Sequence, residues 1–346
     1  LREVDAIEAG SPEHKAALAE DRRVRVRTMR EDPMRETEPA LARVRSVVDI
    51  YEPGSTFKPF VWASLVERGA VRVDEAFDTE GGVWVTEYGR RLEDEAPRDE
   101  QTWADVLVHS SNIGMAKGAA RVSFGDLRDD VLRWGFGRST GVGIPGEARG
   151  LVTRARDWTD LSQSSVPMGY EVGVTPLQMA RAFSVFARSG NRAGEMPGLS
   201  LEALRTGDPR LRVTERLLRP SVAEAGRDAM VEVAEKMATR TPLWIPGEER
   251  FAYTAFGKSG TAKMVSPAGG YLERQYTSSF VAGVPAERPR IVLVVIIDDP
   301  GPEVVRKGRY FGSMTAGPAL LRIASRAMGY LGVTPDRVDE DEVAER

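Results

Sequence analysis

The 346-residue chain contains no cysteine, which excludes thiolate nucleophiles, cysteine-ligated zinc, iron–sulfur clusters and disulfides. Nothing in that absence separates a reducing from an oxidising compartment. Histidine is nearly missing too, with only His14 and His109. A histidine-built metal site is therefore excluded, and a Ser-His-Asp triad has little to draw on. Long apolar runs are lacking: the longest, Ile291 to Ile297, is far short of the roughly 20 residues that cross a bilayer. No signal peptide is recognisable, and the chain opens at Leu1 rather than Met, as expected of a processed or truncated form of something longer. No sign of charge dominates. Lys+Arg 48 against Asp+Glu 52 gives −4, without the broad positive field of a nucleic-acid binder. Only seven of the basic residues are lysine, so each lysine position is informative.

What is present is ordinary globular material. The hydrophobic fraction of 41% and the charged fraction of 29% provide a sizeable core and a soluble surface for one large domain or two ordinary ones. Residues 1–45, rich in Arg, Glu and Asp, read as a loosely packed lead-in. After it, Glu52-Pro53-Gly54 is a turn signal followed by a helical pattern from Ser55 to Arg68. The ring of Pro59 removes a donor and predicts an irregular first turn. A loop-rich stretch carries Gly81-Gly82 and a charged run from Arg90 to Glu100. Thr102 with Asp105 resembles a capping box for a helix reaching Ser110. Thr175-Pro176 opens a helix expected to run to Arg188, and Glu224 to Thr239 reads as another. The apolar period then switches to two, predicting strands over Phe251–Val265, Tyr276–Val284 and Arg290–Ile297. A closing helix over Gly317–Leu331 and an acidic tail over 333–346 complete the chain. Helices in the middle with antiparallel strands at the end indicate an α+β class, an antiparallel sheet flanked by helices with an all-helical subdomain.

Three short motifs carry chemistry. Ser55-Thr56-Phe57-Lys58 places a hydroxyl and an amine at i,i+3, on one helical face. A serine needs a neighbouring base, and a lysine can be one if a helix N-terminus or a second cation depresses its pKa. Roughly 0.4 such S-x-x-K matches arise by chance in this composition, so the motif alone proves nothing. Ser110-Ser111-Asn112 offers a hydroxyl and an amide two residues apart at the end of a helix. A rival, Ser189-Gly190-Asn191, is accounted for by helix-stop chemistry. Lys258-Ser259-Gly260-Thr261 puts a lysine and two hydroxyls around a mid-strand glycine, which marks a close approach by a ligand backbone. That cluster suits a carboxylate, and about 0.08 chance matches to K-[ST]-G are expected. The three in this order together are what is specific.

With these motifs the chain resembles the class B penicillin-binding proteins, in particular their division-type branch with Glu after the Tyr. The resemblance is carried by Tyr51-Glu52-Pro53-Gly54-Ser55-Thr56-Phe57-Lys58-Pro59, by Gly146-Glu147, by Gly169-Tyr170 with Val174-Thr175-Pro176-Leu177-Gln178, and by Ser279-Phe280-Val281-Ala282-Gly283 with Val292 to Asp298. It covers about residues 45–332, which gives a lead-in (1–45), a transpeptidase domain (46–332) and a tail (333–346). The resemblance implies the fold shared by serine β-lactamases and D,D-peptidases, and cross-linking of peptidoglycan stem peptides at D-Ala-D-Ala. It assigns Ser55 as nucleophile, Lys58 as general base, Ser110 as proton shuttle, and Asn112 as holder of Lys58 and the substrate amide. Lys258 would supply positive potential, with Ser259, Gly260 and Thr261 at the substrate carboxylate. The N–H groups of Ser55 and Thr261 would form the oxyanion hole. No cofactor or metal is implied. The implied ligands are stem peptides and β-lactams; the implied partners are a membrane glycan polymerase of the FtsW type and divisome proteins, and no nucleic acid. The implied place is the extracytoplasmic, periplasmic face of the inner membrane.

The sequence departs from the family at several points. The family's membrane anchor and non-catalytic pedestal are missing, and so are two strands before the nucleophile segment unless residues 1–45 supply them. Ser259 replaces the usual Thr, and the helix before the third motif ends in Arg240-Thr241-Pro242 without the expected Gly-Thr-Ala. A serine β-lactamase, a D,D-carboxypeptidase and a non-enzymatic penicillin sensor or scaffold remain as alternatives. Glu147 is read as structural in its turn, and His109 as a packing or surface group.

Overall fold

The computed structural model describes residues 43–208, 214–238, 250–266 and 269–337. Most of the expected lead-in, the Arg240-Thr241-Pro242 helix end and the last nine residues of the tail lie outside them. The chain divides into two compact units, residues 1–48 and 49–346. In the first, the described residues 43–48 contain a single helical turn, Arg45–Val48.

The second unit is built around one helix. A 3-10 turn, Gly54–Phe57, runs into α1, Lys58–Glu67, which is buried from Lys58 to Val66 on every face. A helix apolar all round has no solvent side and becomes the centre of a core. Pro59 sits at its N-terminus, so the missing N–H falls where no intrahelical partner exists. The irregular first turn expected from Pro59 is that 3-10 segment. A hairpin of two short strands, Val83–Val85 and Arg91–Glu93, follows, emerging from the charged run. Helix α2, Trp103–Val108, has the capping box: Thr102 and Asp105 exchange backbone and side-chain bonds. Its Trp103 stacks on Trp62 of α1 with rings 6° from parallel. The Trp62 indole also donates to the Trp103 carbonyl at 2.7 Å, which fixes α2 against α1. Helices α3, Asn112–Ala119, and α4, Phe124–Arg133, continue this helical part.

Helix α5, Pro176–Phe183, carries the expected Thr175 cap and a capping box with Gln178. It ends five residues before Arg188. The Ser184 hydroxyl bonds back to Arg181 O at 2.6 Å, and the next amides tighten to i→i+3 bonds through Ala187, a competition that serine brings to helix interiors. Helix α6 spans Pro220–Ala238. The sheet is antiparallel, formed by β1, Phe256–Val265, β2, Tyr271–Val284, and β3, Ile291–Asp298, with β2 central. Residues 251–255 are not laddered. β2 starts at Tyr271 rather than Tyr276 because a bulge between those residues lets the pairing resume. Helix α7, Ala316–Tyr330, packs Leu320, Leu321 and Ala324 with Phe280 and Val284 of β2. Residues 333–337 are docked rather than trailing: Thr254 N donates to Asp336 at 2.7 Å, and Arg337 pairs with Glu235 at 2.6 Å. The tail expected from 333 is thus part of the body through 337. The observed architecture is α+β, a three-stranded antiparallel sheet among the described residues with helices against it.

Candidate active site

Ser55 lies in the 3-10 turn. The N–H of Lys58 closes that turn on the Ser55 carbonyl, and in 3-10 geometry side chains at i and i+3 eclipse. The turn is wedged from two sides. Gly54 has φ +54 and donates to Gly169 O at 3.1 Å, a left-handed backbone for which glycine pays no steric penalty. Tyr51 pairs with Val174 through a β-bridge. The Gly169-Tyr170 and Val174-Thr175-Pro176 segments therefore meet the nucleophile turn, far apart as they are in sequence. From the other side comes β1. A Cβ added at Gly260 would fall 2.6 Å from Pro53 O and 2.9 Å from Thr56 Cγ2, so only glycine lets the strand lie this close to the turn.

Lys58 is fully buried. Its ammonium donates to Asn112 Oδ1 at 2.7 Å, to Ser110 Oγ at 3.1 Å and to the Ser110 carbonyl, which accounts for all three of its hydrogens. None of the hydrogen bonds among the described residues joins Lys58 Nζ to Ser55 Oγ. Ser110 has φ +60, unusual for a residue with a side chain; this turns both its carbonyl and its hydroxyl onto one lysine. Ser111 caps α3 through Gly114 N at 2.9 Å, and Asn112 is the first residue of that helix. The Asn112 amide nitrogen donates to Glu93 O at 2.7 Å, which fixes Oδ1 as the atom facing Lys58.

Alternation along β1 separates its motif. Lys258 and Gly260 fall on the buried face, whereas Ser259 and Thr261 share the half-buried one. Lys258 Nζ donates to the Ser259 carbonyl at 3.2 Å. Thr261 Oγ1 accepts from Gly312 N at 3.0 Å, which leaves its own proton free to be donated. Ser55, Ser110, Asn112, Ser259 and Thr261 are each half-buried around the two buried lysines.

Electrostatics follow from this burial. Desolvation holds Lys58 well below the usual lysine range, and the nearby Lys258 charge pushes the same way, against Asp94 and Glu95. Desolvation lowers Lys258 to about 7. The sequence motif contains the second cation but not the burial, which is the larger cause.

The remaining candidates fall elsewhere. Burial pushes the Glu147 carboxyl up, but bonds from Ser139 and Thr140 outweigh it and leave it below the ordinary value. Both of its oxygens are occupied in its own turn. His109 Nδ1 lies 3.1 Å from Asp105 O on its own helix, and burial, with Arg98 and Lys236, lowers its pKa. Ser189 receives Arg227 at 3.3 Å, and the Asn191 carbonyl receives Arg216, in a 3-10 turn rather than at a helix stop. Among the described residues no cluster of His, Asp and Glu could hold a metal ion, and no helix is long and apolar enough to cross a membrane.

A family model described as the penicillin binding protein transpeptidase domain matches residues 16–325. The chain belongs to this family. It is 33% identical over 309 residues to the probable peptidoglycan D,D-transpeptidase PbpC of Pseudomonas aeruginosa, covering 89% of this chain and 51% of that protein. It is 32% identical over 295 residues to the peptidoglycan D,D-transpeptidase FtsI of Escherichia coli K12, covering 85% of this chain and 46% of that protein. The chain thus spans about half the length of these curated relatives. The solved transpeptidase domain of Burkholderia pseudomallei penicillin-binding protein 3 superposes with a TM-score of 0.74 at 28% identity, covering 86% of this chain and 85% of that one. The class B resemblance and the α+β transpeptidase fold are both borne out.

Sequence reasoning missed two contributors to this penicillin-binding-protein site. Glu93 holds the Asn112 amide through its backbone, and Asp94 binds the Ser111 hydroxyl and two amides behind Ser110. The β-favouring Val83-Trp84-Val85 and the alternating Arg91-Leu92-Glu93 were a signal for the hairpin, but nothing in them pointed to α3.

Proposed function

We propose that this domain is a peptidoglycan D,D-transpeptidase working through a Ser55 acyl-enzyme. Ser55 Oγ attacks the carbonyl carbon of the penultimate D-Ala while its proton passes to neutral Lys58. The C–N bond breaks, Ser110 relays a proton to the leaving nitrogen, and D-Ala departs. An amine of a second strand then attacks the ester and loses a proton to Lys58, and Ser55 regains one as it leaves. The observation that carries this reading is the buried Lys58 with depressed pKa, bonded to both Ser110 and Asn112. Once neutral, Lys58 keeps two N–H groups for its two fixed acceptors, Ser110 O and Asn112 Oδ1. The lone pair is then free for the Ser55 hydroxyl, and once protonated Lys58 donates again to Ser110 Oγ, 3.1 Å away, for the relay.

Ser55 and Thr261 supply the oxyanion-hole N–H groups in this reading, since Gly54 lies against Thr261: a Cβ there would come 3.1 Å from its carbonyl oxygen. Ser259 and Thr261 hydroxyls take the substrate carboxylate, with Lys258 lending positive potential. No metal or organic cofactor takes part. A division, septal role is supported by the Tyr51-Glu52 signature and by the FtsI likeness. It would place the domain at the extracytoplasmic face of the inner membrane beside an FtsW-type glycan polymerase and divisome proteins.

The test is D-Ala release from a stem pentapeptide compared with its C-terminal amide. Charge-assisted bonds contribute about 1.5–3 kcal/mol each, so the free acid should react more than tenfold faster. Equal rates would contradict a carboxylate site at Ser259 and Thr261.

A further inference from the structure

We infer that Asp94 is the positioning residue of the Ser110–Asn112 segment, a carboxylate clamp that sets where Ser110 and Asn112 meet Lys58. The inference rests on the catalytic reading above. Asp94 directly follows the strand Arg91–Glu93, and its N–H closes the hairpin on Gly82 O at 3.0 Å. It is 7% exposed. One carboxylate oxygen takes the Ser111 hydroxyl at 2.5 Å; the other takes Asn112 N at 2.5 Å and Ile113 N at 3.1 Å.

Asp94 shares the capping of α3 by taking its first two amides, but capping does not call for a group from outside the helix. Helix α3 already has its own N-cap in Ser111, which satisfies Gly114 N. A buried carboxylate supplied from 17 residues upstream instead ties the helix start to the hairpin, and burying it is favourable only because all of its bonds are made. The clamped amides lie immediately after Ser110, whose left-handed backbone persists only where its surroundings over-determine it. Lys58 grips Ser110 from one side, and Asp94 holds the next three residues from the other. The preceding Glu93 carbonyl meanwhile orients the Asn112 amide. Two consecutive hairpin residues thus fix both groups that touch the lysine. Neither touches Lys58 by a hydrogen bond, so Asp94 acts through its partners.

Asp94 also acts through charge. The charged groups around Lys58 are Lys258, which lowers its pKa, and Asp94 and Glu95, which raise it. Neutralising Asp94 lowers the Lys58 pKa further. Because neutral Lys58 is the active form, the acid limb of the acylation profile then moves to lower pH.

The experiment measures the rate constant and pH profile of β-lactam acylation in wild type, Asp94→Asn and Asp94→Ala. Asparagine keeps the acceptor for the two amides and offers a donor to Ser111, while alanine removes the clamp. Asp94→Ala should acylate about 10²-fold more slowly, the scale of a small misplacement of catalytic groups. Asp94→Asn should recover to within about tenfold of wild type, with its acid limb displaced to lower pH. If Asp94→Ala does not fold, the displaced limb of Asp94→Asn supports the inference and an unmoved one overturns it. Wild-type acylation in Asp94→Ala, or an Asp94→Asn as slow as Asp94→Ala, also overturns it and leaves the catalytic reading intact. A wild-type protein that forms no Ser55 adduct overturns both.

Discussion

Among the described residues two lysines, Lys58 and Lys258, are fully buried, and their protonation governs the proposed chemistry. Lys58→Arg keeps the charge, but a guanidinium stays protonated and cannot accept the Ser55 proton. Acylation by a β-lactam should fall at least about 10²-fold, the usual scale for losing a general base; a near-normal rate would remove Lys58 from that role. The pH profile separates the two lysines. As pH falls, Lys58 takes up a proton and acylation slows. As pH rises through about 7, Lys258 loses its proton and with it the attraction for an anionic ligand. The acylation rate constant for a β-lactam bearing a carboxylate should therefore decline on the alkaline side. Lys258→Arg, charged throughout, should abolish that decline; an unchanged alkaline limb in this variant would assign it to another group. The identity of these lysines was legible from the three motifs. Their burial was not, because it depends on α1 becoming the centre of the core and on β1 crossing the nucleophile turn, neither of which local spacing encodes.

At the scale of elements, the site is made by contacts between segments that are short and individually ordinary. The 3-10 turn, the start of α3 and strand β1 are held together by close backbone approach, most sharply at Gly260. A Cβ there meets Pro53 O at 2.6 Å, Ser279 Oγ at 2.7 Å and Thr56 Cγ2 at 2.9 Å, and Pro53 O is backbone that cannot swing aside. Gly260→Ala should cost about 1–3 kcal/mol as an overpacked core position does, and it should push β1 off the nucleophile turn. Thermal melting and the acylation rate should both fall. A variant as stable and as reactive as wild type would show that the strand does not lean on the turn. The capping box at Thr102, the N-cap at Thr175 and the irregular turn before Pro59 were readable locally, as was a strand period after residue 251, although the ladder itself begins only at Phe256. Helix α5 was overextended because the back-bond from Ser184 to Arg181 leaves no mark on apolar periodicity. The Asp94 and Glu93 contacts with α3 could not be read, because a hairpin in a charged run brings them across 17 to 19 residues.

For the molecule as a whole, the distribution of bonds decides between acylating enzymes that share the same first step. All serious readings of this site acylate Ser55 with a β-lactam; they differ in how the adduct is lost. Rapid hydrolysis needs a base to deprotonate a water, as a dedicated glutamate does in class A β-lactamases. Glu147 does not fill that place: both of its oxygens are bonded to Ser139 and Thr140 in its own turn. Engaged in this way, Glu147 does not supply the acceleration of about 10²–10⁴ that a general base gives hydrolysis. The most direct measurement is intact mass spectrometry of the protein against time after mixing with penicillin. A single adduct on Ser55 should form and persist for many minutes, absent in Ser55→Ala and unaffected by Ser189→Ala or Asn191→Ala. Turnover of many β-lactam molecules per second, or an equal adduct in Ser55→Ala, would contradict the account.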